Sequence, residues 1–146
     1  MKQSELLKKI RDYLAENIPP SWRTIVGQVA ESYSVFIRFE NLGESISVAI
    51  LPASLEWERL RGEKPITVHE IDVVIFGKEK NFETFVTLMD GLEELAEVFM
   101  NDGGPFNETE CVGVKTIDAA KAGYDKSKIH RTGEPFVGGI RLTFRA

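Results

Sequence analysis

The second half of the chain holds two long alternating apolar segments with one amphipathic segment between them. Residues 66–76 and 136–144 alternate apolar and other side chains with a period of two, which is typical of strands that bury one face. Residues 82–100 place apolar side chains three and four positions apart, as in a helix that lies on a sheet. These segments predict a packed core of two strands and one helix.

An amphipathic helix is also predicted at the beginning of the chain. Ser4 is the expected N-cap, and the apolar stripe continues to about Asn17. Pro19 and Pro20 then stop the helix and begin a linker. The charges on its polar face are mixed, so we expect this helix to pack on a sheet rather than on a membrane surface.

Two strands and a charged connector are predicted between this helix and the core. Residues 33–39 alternate as a strand, and residues 46–51 form the next strand, which Pro52 ends. The connector, residues 55–65, is either a surface loop or the twisted end of a long hairpin.

The remaining segments complete the predicted element order. Asn81 is the expected N-cap of the helix at 82–100, and Gly91 is a weak point within it that suits a close backbone approach. A short strand is predicted at 111–117, followed by a polar segment at 118–134. The chain is therefore predicted to be a single α+β domain, 1–146, with a mostly antiparallel sheet of four to five strands packed against two helices. Its N-terminal helix falls within residues 1–18.

Composition argues against several classes of partner. The chain has 146 residues and a net charge of −5, with acidic and basic residues interspersed. No basic stripe is present, so we expect no sequence-specific binding of nucleic acid. No uncharged apolar run is long enough to span a bilayer, and Lys8, Lys9 and Arg11 interrupt any signal-peptide core. We expect no membrane partner and folding in a cytoplasm.

Recognisable chemistry is scarce. His69 and His130 lie in different elements without further ligands at metal-binding spacing, and we interpret His69 as a core or edge histidine with its hydrogen bonds satisfied. The single cysteine, Cys111, lies among apolar neighbours and is expected to be a small buried hydrophobe. The glycine pairs at 103–104 and 138–139 lack the setting of a phosphate loop. We therefore expect no catalytic, cofactor-binding or metal-binding residues, and no enzyme.

Two segments carry residues that are typical of protein interfaces. Trp57 lies among charged residues of the connector, where it either binds a partner or folds back onto the local core. Within the polar segment, the stretch around Tyr124 is a long excursion that is either disordered or ordered by a neighbouring protein. The candidate interface residues are Glu56, Trp57, Glu58, Arg59, Arg61, Tyr124, Lys126, Lys128 and Arg131.

The order of elements resembles that of the tail terminator and neck-completion proteins of tailed bacteriophages and prophages. The resemblance covers residues 44–146. It is carried by the strand ending Val48-Ala49-Ile50-Leu51-Pro52, the connector with Glu56, Glu58 and Arg61, the strand at 69–75, the helix with Leu88, Leu92 and Leu95, and the ending formed by Tyr124-Asp125 and 136–144.

The resemblance implies a structural protein without a catalytic site. Such proteins form a ring, here expected to have six identical subunits, that caps the tail tube and joins it to head-completion proteins. The protein would be made in the host cytoplasm and end in the virion tail or neck, with DNA passing through the ring. The alternatives are a small ligand-binding or enzymatic α+β domain with a pocket between sheet and helix, and an adaptor of another secretion or toxin-delivery assembly.

Overall fold

One antiparallel sheet of six strands, with both helices on one of its faces, organises the chain in the computed structural model. The strand order is β1-β2-β3-β4-β6-β5, and every neighbouring pair is antiparallel. The structure describes residues 1–41, 44–59, 61–77, 82–117 and 136–146. The elements are α1 (Gln3–Glu16), a 3-10 turn (Pro20–Thr24), β1 (Gln28–Tyr33), β2 (Phe36–Asn41), β3 (Glu44–Glu58), β4 (Ile66–Gly77), α2 (Phe82–Met100), a second 3-10 turn (Asn101–Gly103), β5 (Glu110–Ile117) and β6 (Phe136–Arg145).

The predicted α+β class is confirmed, but the sheet has one strand more than the largest expected number. The single strand expected at 33–39 is in fact a hairpin, because Ser34 adopts a left-handed φ of 50° and reverses the chain. Tyr33 and Phe36 then face each other as the last pair of β1 and β2. Sequence alternation continued across this two-residue turn and concealed it.

The prediction that Pro52 ends a strand is wrong. β3 continues through Pro52 to Glu58, with a register shift against β4 between Pro52 and Ser54. β2 pairs with β3 only as far as Ala49, so no strand among the described residues needs the N–H that Pro52 lacks. The segment predicted as a charged connector is therefore the end of a long β3–β4 hairpin, which was one of the two predicted alternatives, and not a surface loop.

The first helix begins earlier than predicted, and the segment after it is ordered. Lys2 occupies the N-cap position without a side-chain cap, so the expected cap by Ser4 is wrong. At the other end, the backbone N–H of Asn17 donates to the carbonyl oxygen of Tyr13 at 2.9 Å. The expected linker after the two prolines contains a 3-10 turn that buries Trp22 completely.

The two helices cover different halves of the sheet. α1 contacts β2 and β3, whereas α2 contacts β5 and β6. Tyr13 of α1, Phe99 of α2 and Phe144 of β6 meet edge to face, with ring centroids 5.6 and 5.9 Å apart along this series. Aromatic contacts of this kind add to apolar burial. They join both helices to the sheet in one core.

The close approach at Gly91 is made by a side chain rather than by the second backbone that was predicted. The indole of Trp22 lies against Gly91, and its Nε1–H donates to the carbonyl oxygen of Leu88 at 3.0 Å. A Cβ atom at position 91 would fall 1.9 Å from Trp22 Nε1. The absence of a side chain at this position therefore lets the 3-10 turn lie directly on α2.

The face of the sheet opposite the helices also buries side chains. Ala49, Val74 and Phe76 form a second, smaller apolar cluster there. On the same face, Asp72 is 1% exposed and receives two hydrogen bonds from Arg141, at 2.7 and 3.0 Å. The two residues are direct cross-strand partners in β4 and β6. Alternation along β4 thus contributes to two packed faces rather than one.

The remaining elements lie close to their predicted positions. The helix predicted at 82–100 has these bounds, and the strands at 111–117 and 136–144 each extend by one residue. A bulge separates Ile75 and Phe76 opposite β6, and a Cβ atom at Gly139 would lie 2.7 Å from the Val73 carbonyl oxygen. Glycine at this position therefore permits the close approach of the β4 backbone. The expected cap at Asn81 and the polar segment at 118–134 lie outside the described residues.

Candidate interaction site

The end of the β3–β4 hairpin forms an exposed arm. We define the arm as the described residues of 52–68. Its last strand pair joins Glu58 to Ile66, beyond the level at which β6 ends. At the end of β6, Thr67 of β4 exchanges two backbone hydrogen bonds of 3.0 Å with Ala146. Every described residue from Glu56 to Ile66 is exposed.

Trp57 is the largest side chain on the arm and is 70% exposed. Its cross-strand partner is Thr67, and the next pair along the arm is Leu55 with the buried His69. Because side chains alternate along a strand, Trp57 lies on the same face of the sheet as the helices. The expectation that Trp57 folds back onto the local core is wrong, whereas its role in binding a partner stays a prediction.

The charged candidate residues surround this tryptophan. Glu56 and Glu58 flank it in β3 and face the opposite side of the sheet, while Arg59 and Arg61 lie in the exposed turn. Gly62, at φ 83°, provides the left-handed conformation that this turn requires. The structure thus brings all five candidates from the first segment together at one end of the molecule.

The second candidate segment cannot be placed relative to the arm. Tyr124, Lys126, Lys128 and Arg131 lie outside the described residues.

His69 is buried on the helix face, as predicted, but only one of its ring nitrogens is paired. Nε2 lies 3.0 Å from the Thr67 hydroxyl, whereas Nδ1 has no hydrogen-bond partner among the described residues. Burial lowers the pKa of His69 from its ordinary value of 6.5, and the positive charge of the Met1 amino group lowers it further. The expectation that all its hydrogen bonds are satisfied is therefore wrong, and the fold favours the neutral ring.

Cys111 is buried, as predicted. It is 3% exposed, and its thiol lies 3.6 Å from the carbonyl oxygen of Gly113. Burial raises the pKa of the thiol, and the backbone contacts to Gly113 and Thr143 oppose this rise only in part. A thiol held in its neutral form is a poor nucleophile and a poor metal ligand.

Two concave surfaces border α2. The larger, of about 850 Å³, lies between the C-terminal end of α1, the first 3-10 turn and α2. The smaller, of about 280 Å³, lies between α2 and the β5–β6 edge of the sheet, and we call it the α2–β5 groove. The groove is lined by Met89, Leu92, Glu93, Ala96, Glu97, Met100, Val114, Lys115, Thr116 and Ile140.

The chemistry around these surfaces is sparse. His69 lines neither of them. Within the described ranges, no three residues among His, Cys, Asp and Glu are grouped to hold a metal ion. The residues that line the α2–β5 groove are mainly apolar, and its carboxylates are those of Glu93 and Glu97. Such a surface is better suited to receiving an apolar side chain than to acid–base chemistry.

Sequence reasoning offered a pocket between sheet and helix as an alternative but did not locate the α2–β5 groove. The predicted apolar face of α2 already contained Met89, Leu92 and Ala96, which line it. The additional signal was Met100, an apolar residue at the end of this face that is 48% exposed. A helix whose apolar stripe extends past the strands beneath it leaves part of that stripe uncovered.

The described part of the chain contains no helix that is long and apolar enough to cross a membrane. No protein-family model, curated protein or solved structure matches this chain.

Proposed function

We propose that this protein is a tail-completion subunit of a tailed phage or prophage, which assembles with copies of itself into a ring. The ring, expected to contain six subunits, covers the end of the tail tube and joins it to head-completion proteins. The observation that carries this proposal is the arm, because a tryptophan that is 70% exposed on a strand hairpin leaves most of its apolar surface available to a partner. Exposed aromatic residues flanked by charges are typical of protein interfaces.

The distribution of surfaces is consistent with self-assembly. A closed ring of identical subunits needs two different complementary patches on each subunit. The arm and the α2–β5 groove lie on different parts of the sheet, since the arm extends from β3 and β4 and the groove borders β5. In the proposed function, these contacts and the two ring faces replace the role that a catalytic site has in an enzyme.

The test is the oligomeric state of the purified full chain as a function of concentration and salt. Native mass spectrometry is expected to detect monomers and a ring, and negative-stain electron microscopy should show the ring directly. The Trp57→Ala variant is expected to associate at least about tenfold more weakly, with its free energy of unfolding changed by less than about 0.5 kcal/mol. A fixed dimer under all conditions would contradict the proposal.

The second candidate function is ligand binding between sheet and helix, and the α2–β5 groove is the observation that favours it. Its volume of about 280 Å³ is near the lower limit for small-molecule sites. A crystal soak or fragment screen by NMR that places a small molecule among Met89, Ala96 and Val114, with the protein remaining monomeric, would favour this function over ring assembly.

A further inference from the structure

We propose that the arm of one copy adds to the free edge of β5 in the next copy, with Trp57 entering the α2–β5 groove. This inference rests on the self-assembly proposed above and names the two surfaces that make it. It follows from the edges of the sheet, the direction of its strands, the face that carries Trp57 and the charges beside it.

Two edges of the sheet carry backbone groups that are open to another strand. β5 pairs only with β6, so its outer edge, Glu110–Ile117, has no described strand beside it. The arm has a second open edge, on the side of β3 that faces away from β4. On that side, no described strand pairs with β3 beyond the hydrogen bond from Ile50 N–H to the Val35 carbonyl oxygen. Unpaired edges of this length readily accept a further strand.

The third edge, β1, is poorly suited to this role. Five of its six residues are exposed, and a register shift between Val29 and Glu31 interrupts its ladder with β2. Bulges and charges are the usual means of blocking strand addition. β5 also has a bulge, between Cys111 and Gly113, but it exposes Val112 and borders an apolar groove. β5 is therefore the more receptive edge.

The strand directions allow the arm and β5 to join without turning either copy over. With the order β3-β4-β6-β5 and antiparallel neighbours throughout, β3 and β5 run in opposite directions. The open edge of β3 faces away from β4 and that of β5 faces away from β6, so the two edges point in opposite directions across the sheet. A second copy placed beside the first, with its helices on the same face, therefore presents β3 antiparallel to β5. Antiparallel pairing is slightly more stable per residue than parallel pairing.

This placement directs Trp57 towards the groove. Trp57 lies on the helix face of the arm, and Val114 and Thr116 line the groove on the helix side of β5. When Trp57 stands opposite Val114, its indole lies above the groove beside Met89 and Ala96. A slip of one residue would turn the tryptophan to the other face, so burial of the indole excludes that slip.

The same register pairs opposite charges on the other face. With Trp57 opposite Val114, antiparallel pairing sets Glu56 opposite Lys115. Both side chains are exposed in the single chain. Directly opposed charges of opposite sign stabilise a strand pair, and like charges destabilise it. The apolar and the charged contacts are therefore both satisfied in this alignment.

An arm that enters the groove belongs to a second copy. β4 and β6 lie between β3 and β5 in the sheet, so the arm cannot reach the β5 edge of its own chain. A contact between two different surfaces of identical subunits is heterologous, and it forms a ring when the rotation closes. The inferred contact is thus of the kind that the proposed function requires.

The test is disulfide cross-linking between two differently labelled copies. Cys111 is the only cysteine, so all variants carry Cys111→Ser to remove it. Glu56→Cys and Lys115→Cys are purified separately, mixed and oxidised. The mixture is expected to give a cross-linked dimer on a non-reducing gel, while each variant alone gives none above background. A mixture of Glu56→Cys with Lys8→Cys, on the exposed side of α1, is the matched control.

The possible results separate this inference from the proposed function. Cross-linking of the mixture that is lost at least about tenfold on adding Trp57→Ala would support the inference. Rings that form without this cross-link would overturn the inference and leave the proposed function standing. A cross-link between two copies that form no rings would support the inference and overturn ring assembly. A protein that stays monomeric and gives no cross-link would overturn both.

Discussion

Replacing Gly91 by alanine is expected to destabilise the protein, although the same change normally stabilises a helix. Alanine is favoured over glycine in a helix interior by about 1 kcal/mol. In this helix, however, the new Cβ atom would lie 1.9 Å from Nε1 and 2.2 Å from Cδ1 of Trp22, where ordinary contacts begin at 3.4 Å. The indole would have to move by more than an ångström.

The magnitude follows from what the indole would lose. Trp22 is completely buried, and its N–H donates to the carbonyl oxygen of Leu88. Leaving that buried N–H unpaired costs about 1–3 kcal/mol, and complete removal of a tryptophan side chain from a core costs about 3–5 kcal/mol. Partial loss of both contributions, offset by the helix propensity of alanine, leaves a net destabilisation of about 2–4 kcal/mol for Gly91→Ala.

Urea unfolding followed by circular dichroism measures this effect. With a slope typical of small proteins, the midpoint should fall by about 1–2 M. Asp90→Ala, at the neighbouring exposed position, is the control and should change stability by less than about 0.5 kcal/mol. Because Trp22→Leu removes the clash, Gly91→Ala should cost at least about 2 kcal/mol less in that background. Equal costs in both backgrounds, or a Gly91→Ala protein as stable as the parent, would refute the packing argument.

Two further predictions concern polar groups within the sheet. Arg141→Met leaves the buried carboxylate of Asp72 without the guanidinium that donates two hydrogen bonds to it, and should lower the free energy of unfolding by about 3 kcal/mol. The double variant Asp72→Leu/Arg141→Met should recover most of that loss, as measured by urea unfolding. Because the pKa of His69 is lowered in the fold, the unfolded chain binds the proton more readily than the folded chain does. The contribution of neutral His69 to the free energy of unfolding is therefore complete above pH 6.5 and declines as the pH falls below it. His69→Gln should flatten the dependence of the urea midpoint between about pH 7.5 and 5, and an unchanged slope would contradict this account.

The second half of the fold could be predicted because each of its elements has one dominant periodicity. α2 and the helix face of β4 followed directly from apolar spacing, since long uninterrupted patterns leave few alternatives. The first half could not be predicted to the same extent. A two-residue turn at Ser34 preserved the alternation that it interrupted, and Pro52 reads as a strand end although it lies at an unpaired edge. In both places the tertiary setting overrode a local signal.

The exposure of Trp57 shows what an interface prediction needs beyond residue type. Leu55 pairs with His69, which faces the helices, and Trp57 is two residues after Leu55, so alternation places Trp57 on the same face. Burial additionally requires a helix above that position, and the N-terminal end of α1 reaches only the level of Ser54, whose carbonyl oxygen accepts a hydrogen bond from the Gln3 side chain. Trp57 lies three residues further along the arm, past the end of the helix layer, so no described helix covers it. The sequence contains the alternation but not the relative lengths of the helix layer and the sheet, and that difference in length turns a core-facing tryptophan into an exposed one.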